Sequence, residues 1–180
     1  MLKQINIKGQ KGITLPALVI MVIVLLIVSR ISIMGGMKLI NKANGESIIT
    51  NMISIRAKTK IYMEEVNSKS WSLNAEGKAN KRKEILEDTY KLIPTTIEEQ
   101  IENRLSEEMK ENGYLCYNIT KEALTYMNLD EIYGYDKMET DSGYVAVINN
   151  DCSKVEIIYT NGIKYQDKIY YTLSEAQGNL

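Results

Sequence analysis

The chain has 180 residues, 22 Lys and Arg against 23 Asp and Glu, a net charge of −1 and a pI near 5.7. A balance this close to neutral excludes a protein that holds nucleic acid by counterion release, so no nucleic-acid partner is expected. The absence of His removes Ser/His and Cys/His catalysis and imidazole metal sites together.

The charge is unevenly placed along the chain. Residues 1–12 carry Lys3, Lys8 and Lys11 and no acid, which leaves 19 basic against 23 acidic residues beyond them. Residues 13–29 follow without a charge, 17 in all, or roughly 25 Å of helix. Continuing to Met37 makes 25 residues with Arg30 as the one charge, roughly 37 Å against a bilayer core of about 30 Å. Leu15, Leu18, Val22, Leu25 and Leu26 supply the anchor, and Arg30 lies near its outer end, where a long side chain snorkels to the headgroups. Lysines in front and an acidic body behind predict a cytoplasmic N-terminus and a head on the far side of the cell membrane. Pro16 fits the first helical turn, where its missing N–H costs little and Thr14 supplies a cap. The run is longer than the 7–15 apolar residues of a secretory signal, and no small-x-small site follows it.

Lys11-Gly12-Ile13-Thr14-Leu15 running straight into an apolar helix resembles the N-terminus of type IV prepilins and type II secretion pseudopilins. The resemblance covers about forty residues. It implies that a prepilin peptidase cuts the leader 1–12 between Gly12 and Ile13, that Ile13 becomes the new N-terminus and a candidate for N-methylation, and that the helix stays in the product. It also implies other pilin or pseudopilin subunits and membrane lipid as partners. The commonest pilins carry Glu as the fifth mature residue, where this chain has Ala17. In that respect the segment looks closer to a Gram-positive, clostridial-type branch of prepilin-like proteins, and the tail from Gly162 to Leu173 is weakly similar to that branch as well.

Beyond the anchor, Gly35-Gly36 and Asn44-Gly45 are expected to interrupt the helix. Ser47 then serves as N-cap of an amphipathic helix within 38–67, whose Ile48, Met52, Ile55, Thr59, Tyr62 and Val66 recur at three- and four-residue steps. Residues 67–80 read as a polar loop, and 81–92 as a short helix stopped before Pro94. Thr96 to Glu99 forms a capping-box pattern opening a helix with Ile97, Ile101, Leu105 and Met109 on one face, closed by Gly113. Residues 114–119 are β-prone, and Thr120 caps a short helix reaching Asn128.

Residues 143–149, 154–160 and 163–172 are Val/Ile/Tyr-rich runs, separated by Asn150-Asp151 and by the hairpin signal Asn161-Gly162. They predict an antiparallel meander of three or four strands. The expected fold is therefore α+β and pilin-like: a long N-terminal helix, transmembrane then amphipathic, and a head over 68–180 of short helices with a C-terminal meander.

Cys116 and Cys152 are candidates for one disulfide closing a loop of about 36 residues, worth about 3–4 kcal/mol in the chain-entropy model; free thiols are the alternative. Asp141 and Asn150-Asp151 are explained by turn chemistry more economically than as calcium ligands. No phosphate loop, nucleophile elbow or metal spacing appears, so the sequence gives no catalytic residue, metal ligand or cofactor and does not read as an enzyme. Two functions stay open: a minor pilin or pseudopilin subunit, and a single-pass membrane protein with an extracellular binding or envelope-structural domain and no filament role.

Overall fold

The computed structural model describes residues 15–111, 113–165 and 168–179, with side chains in the first helix described for 18–26 and from 40 onward. The chain divides into two units, Met1–Ile40 and Asn41–Leu180. Helix α1 is Leu15–Ser70. Among the described residues no helix is long and apolar enough to cross a membrane. The described side chains of the expected span number nine, 18–26, which is roughly 14 Å of helix.

The second unit is α+β, with a five-stranded antiparallel sheet in the sequential order β1-β2-β3-β4-β5. Its strands are β1 Ile93–Thr95, β2 Tyr114–Thr120, β3 Asp141–Asn149, β4 Val155–Tyr165 and β5 Lys168–Thr172. The helices are the C-terminal part of α1, α2 Ala75–Lys83, the short turns α3 Glu99–Glu102 and α4 Glu107–Lys110, α5 Lys121–Tyr126 and α6 Leu173–Asn179.

The core is built from the amphipathic stripe of α1. Met52, Ile55, Tyr62, Met63 and Val66 are buried in one cluster with Tyr117, Ala146 and Ile157 of the sheet. Thr59, which interrupts the apolar series, is fully buried and donates its hydroxyl to the Ile55 carbonyl at 2.9 Å, so that hydroxyl is paired within the helix. A second cluster lies on the alternate residues of the same strands. Cys116, Val145, Val147 and Ile158 meet Ile101, Leu105 and Met109 from the α3–α4 segment. The sheet is thus covered on both faces, which is why β3 is buried from Ser142 to Asn149 without the alternation of a half-solvated strand.

Several local expectations are corrected. Neither glycine pair interrupts α1, because an established helix propagates through a Gly at a cost of about 1 kcal/mol. Gly45 is also buried where a Cβ would sit 3.2 Å from Ile163 Cγ2, so a small residue lets α1 approach β4. Ser47 is not a cap: its hydroxyl donates to the Ala43 carbonyl one turn back, inside the helix. The expected loop at 67–80 is mostly helical, with α1 running to Ser70 and α2 starting after Asn74, whose side chain accepts from the Gly77 amide at 2.8 Å. The expected helix 81–92 splits into the end of α2 and a π-helical turn, Glu84–Thr89. The wide turn lets Tyr90 stack on Tyr62 of α1 with ring centroids 3.5 Å apart, and its hydroxyl donates to Glu65 at 2.5 Å.

Thr96 does not open a capping box. Glu98 occupies the N-cap position of α3 without a side-chain bond, and the single helix expected there is broken into α3 and α4. Its apolar face survives the break, because each short turn still buries its own large residue. Asn161-Gly162 does not form a hairpin turn either. β4 continues through it to Tyr165 with a register shift between Ile158 and Ile163, so the pair is a bulge, and Gly162 supplies the φ of +69°. Three expectations are met: Thr120 caps α5 by accepting from the Ala123 amide at 3.1 Å, Gly113 takes φ +69°, and Asn150-Asp151 lies in the β3–β4 turn.

One buried polar group ties α1 to the connection before β3. Asn51 donates to the Tyr133 carbonyl and to the Tyr144 hydroxyl, each at 2.9 Å, and accepts from the Tyr133 amide at 3.2 Å. Asn51→Leu removes all three partners while keeping the volume. The expected result is a loss of about 2–4 kcal/mol in urea unfolding, and a loss under 1 kcal/mol would show that water replaces the amide there.

Burial pushes the hydroxyls of Tyr62, Tyr117 and Tyr144 from 10.0 up to about 12. A folded-state value above the unfolded one means that the contribution is complete below about pH 10 and is lost as pH rises toward 12. The tyrosinate absorbance of these three residues should therefore appear late and together with unfolding. Ionisation of all tyrosines near pH 10 with the fold intact would contradict this.

Candidate functional site

The most chemically distinctive surface of the first unit is an apolar helical segment. Leu18, Val22, Leu25 and Leu26 are exposed at 52, 47, 57 and 65 %, and the intervening Val19, Ile20, Met21, Ile23 and Val24 are exposed as well. A globular helix hides about one stripe of apolar residues, whereas here consecutive residues present aliphatic side chains all round the axis. An apolar patch of this kind marks contact with lipid or with another apolar surface. The processing pair Gly12 and Ile13, and the side chains of Leu15 and Arg30, lie outside the described residues.

In the second unit the structure separates the two cysteines. Both are free and both are buried. Cys116 belongs to the cluster under α3 and α4, while Cys152 belongs to the cluster under α1. The pairing considered from the sequence is therefore not formed, because β2 directs Cys116 to the face of the sheet away from Cys152. Burial, and after it the Glu102 carboxylate, pushes the Cys116 thiol up to about 11. Cys152 is raised by burial against the opposing pull of Arg82. These are the signatures of inert thiols and not of nucleophiles.

Arg82 of α2 binds the Asn150 carbonyl at 2.9 Å and also lies against the Tyr117 hydroxyl and the Cys152 thiol. Its role is to close the β3–β4 turn onto α2, with Asn67 of α1 donating to the Cys152 carbonyl at 3.0 Å from the other side. Cys152 itself holds a φ of +52° in that turn. Beside Arg82 a cleft of about 670 Å³ runs along the outer edge of β2 where the short β1 leaves it, bounded by Glu87, Glu102 and Tyr114.

The acidic residues considered as calcium ligands are engaged in turns. Asp141 accepts from the Gly143 amide at 2.9 Å, and Asp151 accepts from the Ser153 amide at 3.0 Å. Among the described residues no group of three or more Cys, Asp or Glu is placed to hold a metal ion. Arg82 and Asn51 are the structurally important polar groups that the sequence reading missed. Asn51 had a legible signal, as a polar residue beside the apolar stripe of α1; Arg82, in a run of basic residues on α2, had none.

No protein-family description, no curated protein and no solved structure matches this chain.

With both thiols buried in separate clusters, non-reducing mass analysis should give the fully reduced mass. Alkylation of Cys116 and Cys152 in the native protein should proceed at least about a hundredfold slower than in urea, since it requires opening of the core. Rapid labelling of either thiol would show that its cluster opens locally.

Proposed function

We propose that this protein is a prepilin-like, membrane-anchored subunit, a minor pilin or pseudopilin of a type IV pilus or a type II secretion-like system. The observation that carries the reading is the exposed aliphatic segment 18–26 on α1, directly behind the Lys11-Gly12-Ile13-Thr14-Leu15 border. In this reading the chain is inserted with its N-terminus in the cytoplasm and cut after Gly12 by a prepilin peptidase. The helix 13–37 remains as a single membrane span, and the second unit stands outside the cell membrane, where a surface filament is assembled. The same aliphatic side chains serve twice, first against lipid and then against helices of neighbouring subunits. Exchange between two apolar surroundings avoids the cost of wetting them, about 25 cal/mol per Å² of apolar surface. The α+β second unit, with its amphipathic helix laid on an antiparallel sheet, is consistent with a pilin-like head. No step in this role needs a catalytic residue or a cofactor.

A second reading is favoured by one residue. Ala17 stands where the commonest pilins carry the Glu that registers one subunit against the next, which suits a single-pass membrane protein whose outer domain binds or braces without a filament. The two readings separate at the mature N-terminus. Mass spectrometry of the protein purified from cells that contain a prepilin peptidase should find the chain starting at Ile13, with or without one added methyl group. A chain that keeps residues 1–12 in such cells overturns the pilin reading in favour of the plain anchored protein.

A further inference from the structure

Two irregularities fall at the same end of the sheet. On β3, Ile119 of β2 pairs with Tyr144 and the next residue, Thr120, pairs with Asp141, so Ser142 and Gly143 are inserted between them. On β4, the bulge between Ile158 and Ile163 releases residues 159–162 from regular pairing with β5. Paired bulges of this kind splay strands and redirect side chains, and they recur beside binding sites. Here they open a groove of about 640 Å³, within the usual 300–1,000 Å³ of small-ligand clefts.

The groove lining is aromatic and polar. Tyr133 and Tyr159 contribute rings, and Glu139, Asp141 and Asn161 contribute carboxylate and amide groups. Tyr133 is half exposed, yet it is held at three points by α1: Asn51 takes both its amide and its carbonyl, and its hydroxyl donates to Asn44 at 2.8 Å. An exposed ring held this way has already lost the freedom that a ligand would otherwise have to remove. Gly143, with φ +75°, lets the Asn161 and Tyr159 side chains pack close against the bulge: a Cβ there would lie 2.9 Å from Asn161 Nδ2 and 3.3 Å from the Tyr159 ring. Asp141 spends Oδ1 on the Gly143 amide, and a carboxylate has acceptor capacity beyond one bond.

The charges lining the groove are mixed, Lys137 beside Glu139 and Asp141, so its field favours neither an anion nor a cation strongly. A fixed, half-exposed ring beside carboxylate and amide groups suits a neutral molecule with an apolar face and many hydroxyls. We infer that this groove binds a glycan, an uncharged β-linked pyranose of gluco configuration, because its all-equatorial substituents leave a flat C–H face for the Tyr133 ring while its hydroxyls meet Asp141 and Asn161. The inference concerns the second unit alone and holds whether or not the chain is processed or assembled.

The test is calorimetric titration of the full chain in a detergent without a sugar headgroup, using cellotetraose and N-acetylated chitotetraose to tell a plain from an acetamido sugar. Saturable binding of at least one is expected, about tenfold weaker in Tyr133→Ala and unchanged in Tyr126→Ala, an exposed tyrosine outside the groove. Asp141→Asn keeps an oxygen for the Gly143 amide, so it reads the carboxylate separately and should also weaken binding with no change in melting temperature. Absence of saturable binding by both sugars overturns the inference. So does equal binding by wild type, Tyr133→Ala and Asp141→Asn, or binding of a lysine-rich peptide in place of either sugar.

Discussion

The second unit depends on the contact between the stripe of α1 and the sheet. Met52, Ile55, Tyr62 and Val66 cover Tyr117, Ala146 and Ile157 from one side, and no other described helix offers that face a run of comparable length. The stripe works because its one polar member, Thr59, satisfies its own hydroxyl within the helix. Asn51, one position ahead of Met52, then fixes where the long connection between α5 and β3 must lie. A single helix therefore supplies both non-directional burial and a directional clamp. The first gives most of the driving force, and the second selects one arrangement of a polar connection that burial alone would leave indifferent.

On the other face, the short α3 and α4 turns bury Ile101, Leu105 and Met109 on Val145 and Val147. This second cover places Cys116 in a dry, slightly acidic setting beside Glu102. It also moves Cys116 out of reach of Cys152, which closes the β3–β4 turn with Arg82 and Asn67. Stability at both places comes from burial and hydrogen bonds where the sequence allowed a covalent link.

How much of this was legible in the sequence depends on how local each decision is. The stripe from Met52 to Val66 was readable because helical periodicity is a property of one segment. The cap at Thr120 and the turn at Gly113 were readable for the same reason. The Asn161-Gly162 pair was not, since the same dipeptide makes a turn or a bulge according to where the partner strand begins, and β5 begins at Lys168. The failed cap at Ser47 shows the converse: its signal was local, but α1 was already helical ahead of it and left no free amides to satisfy. The apolar segment around Val22 was evident from composition alone. The pinning of Tyr133 was invisible, because its partner Asn51 lies 82 residues away.

The edge strand β1 has only three residues, and its middle one is Pro94. Proline offers no amide to a neighbouring strand, and a three-residue edge gives an approaching chain little to pair with. Copies of this protein crowded side by side on one surface would meet at that edge with a blunted template, so runaway sheet extension between molecules is discouraged at β1. At the β1 side, order among such copies would rest on helix contacts and side-chain fit, which are geometrically selective and reversible, where a continuous intermolecular sheet is neither.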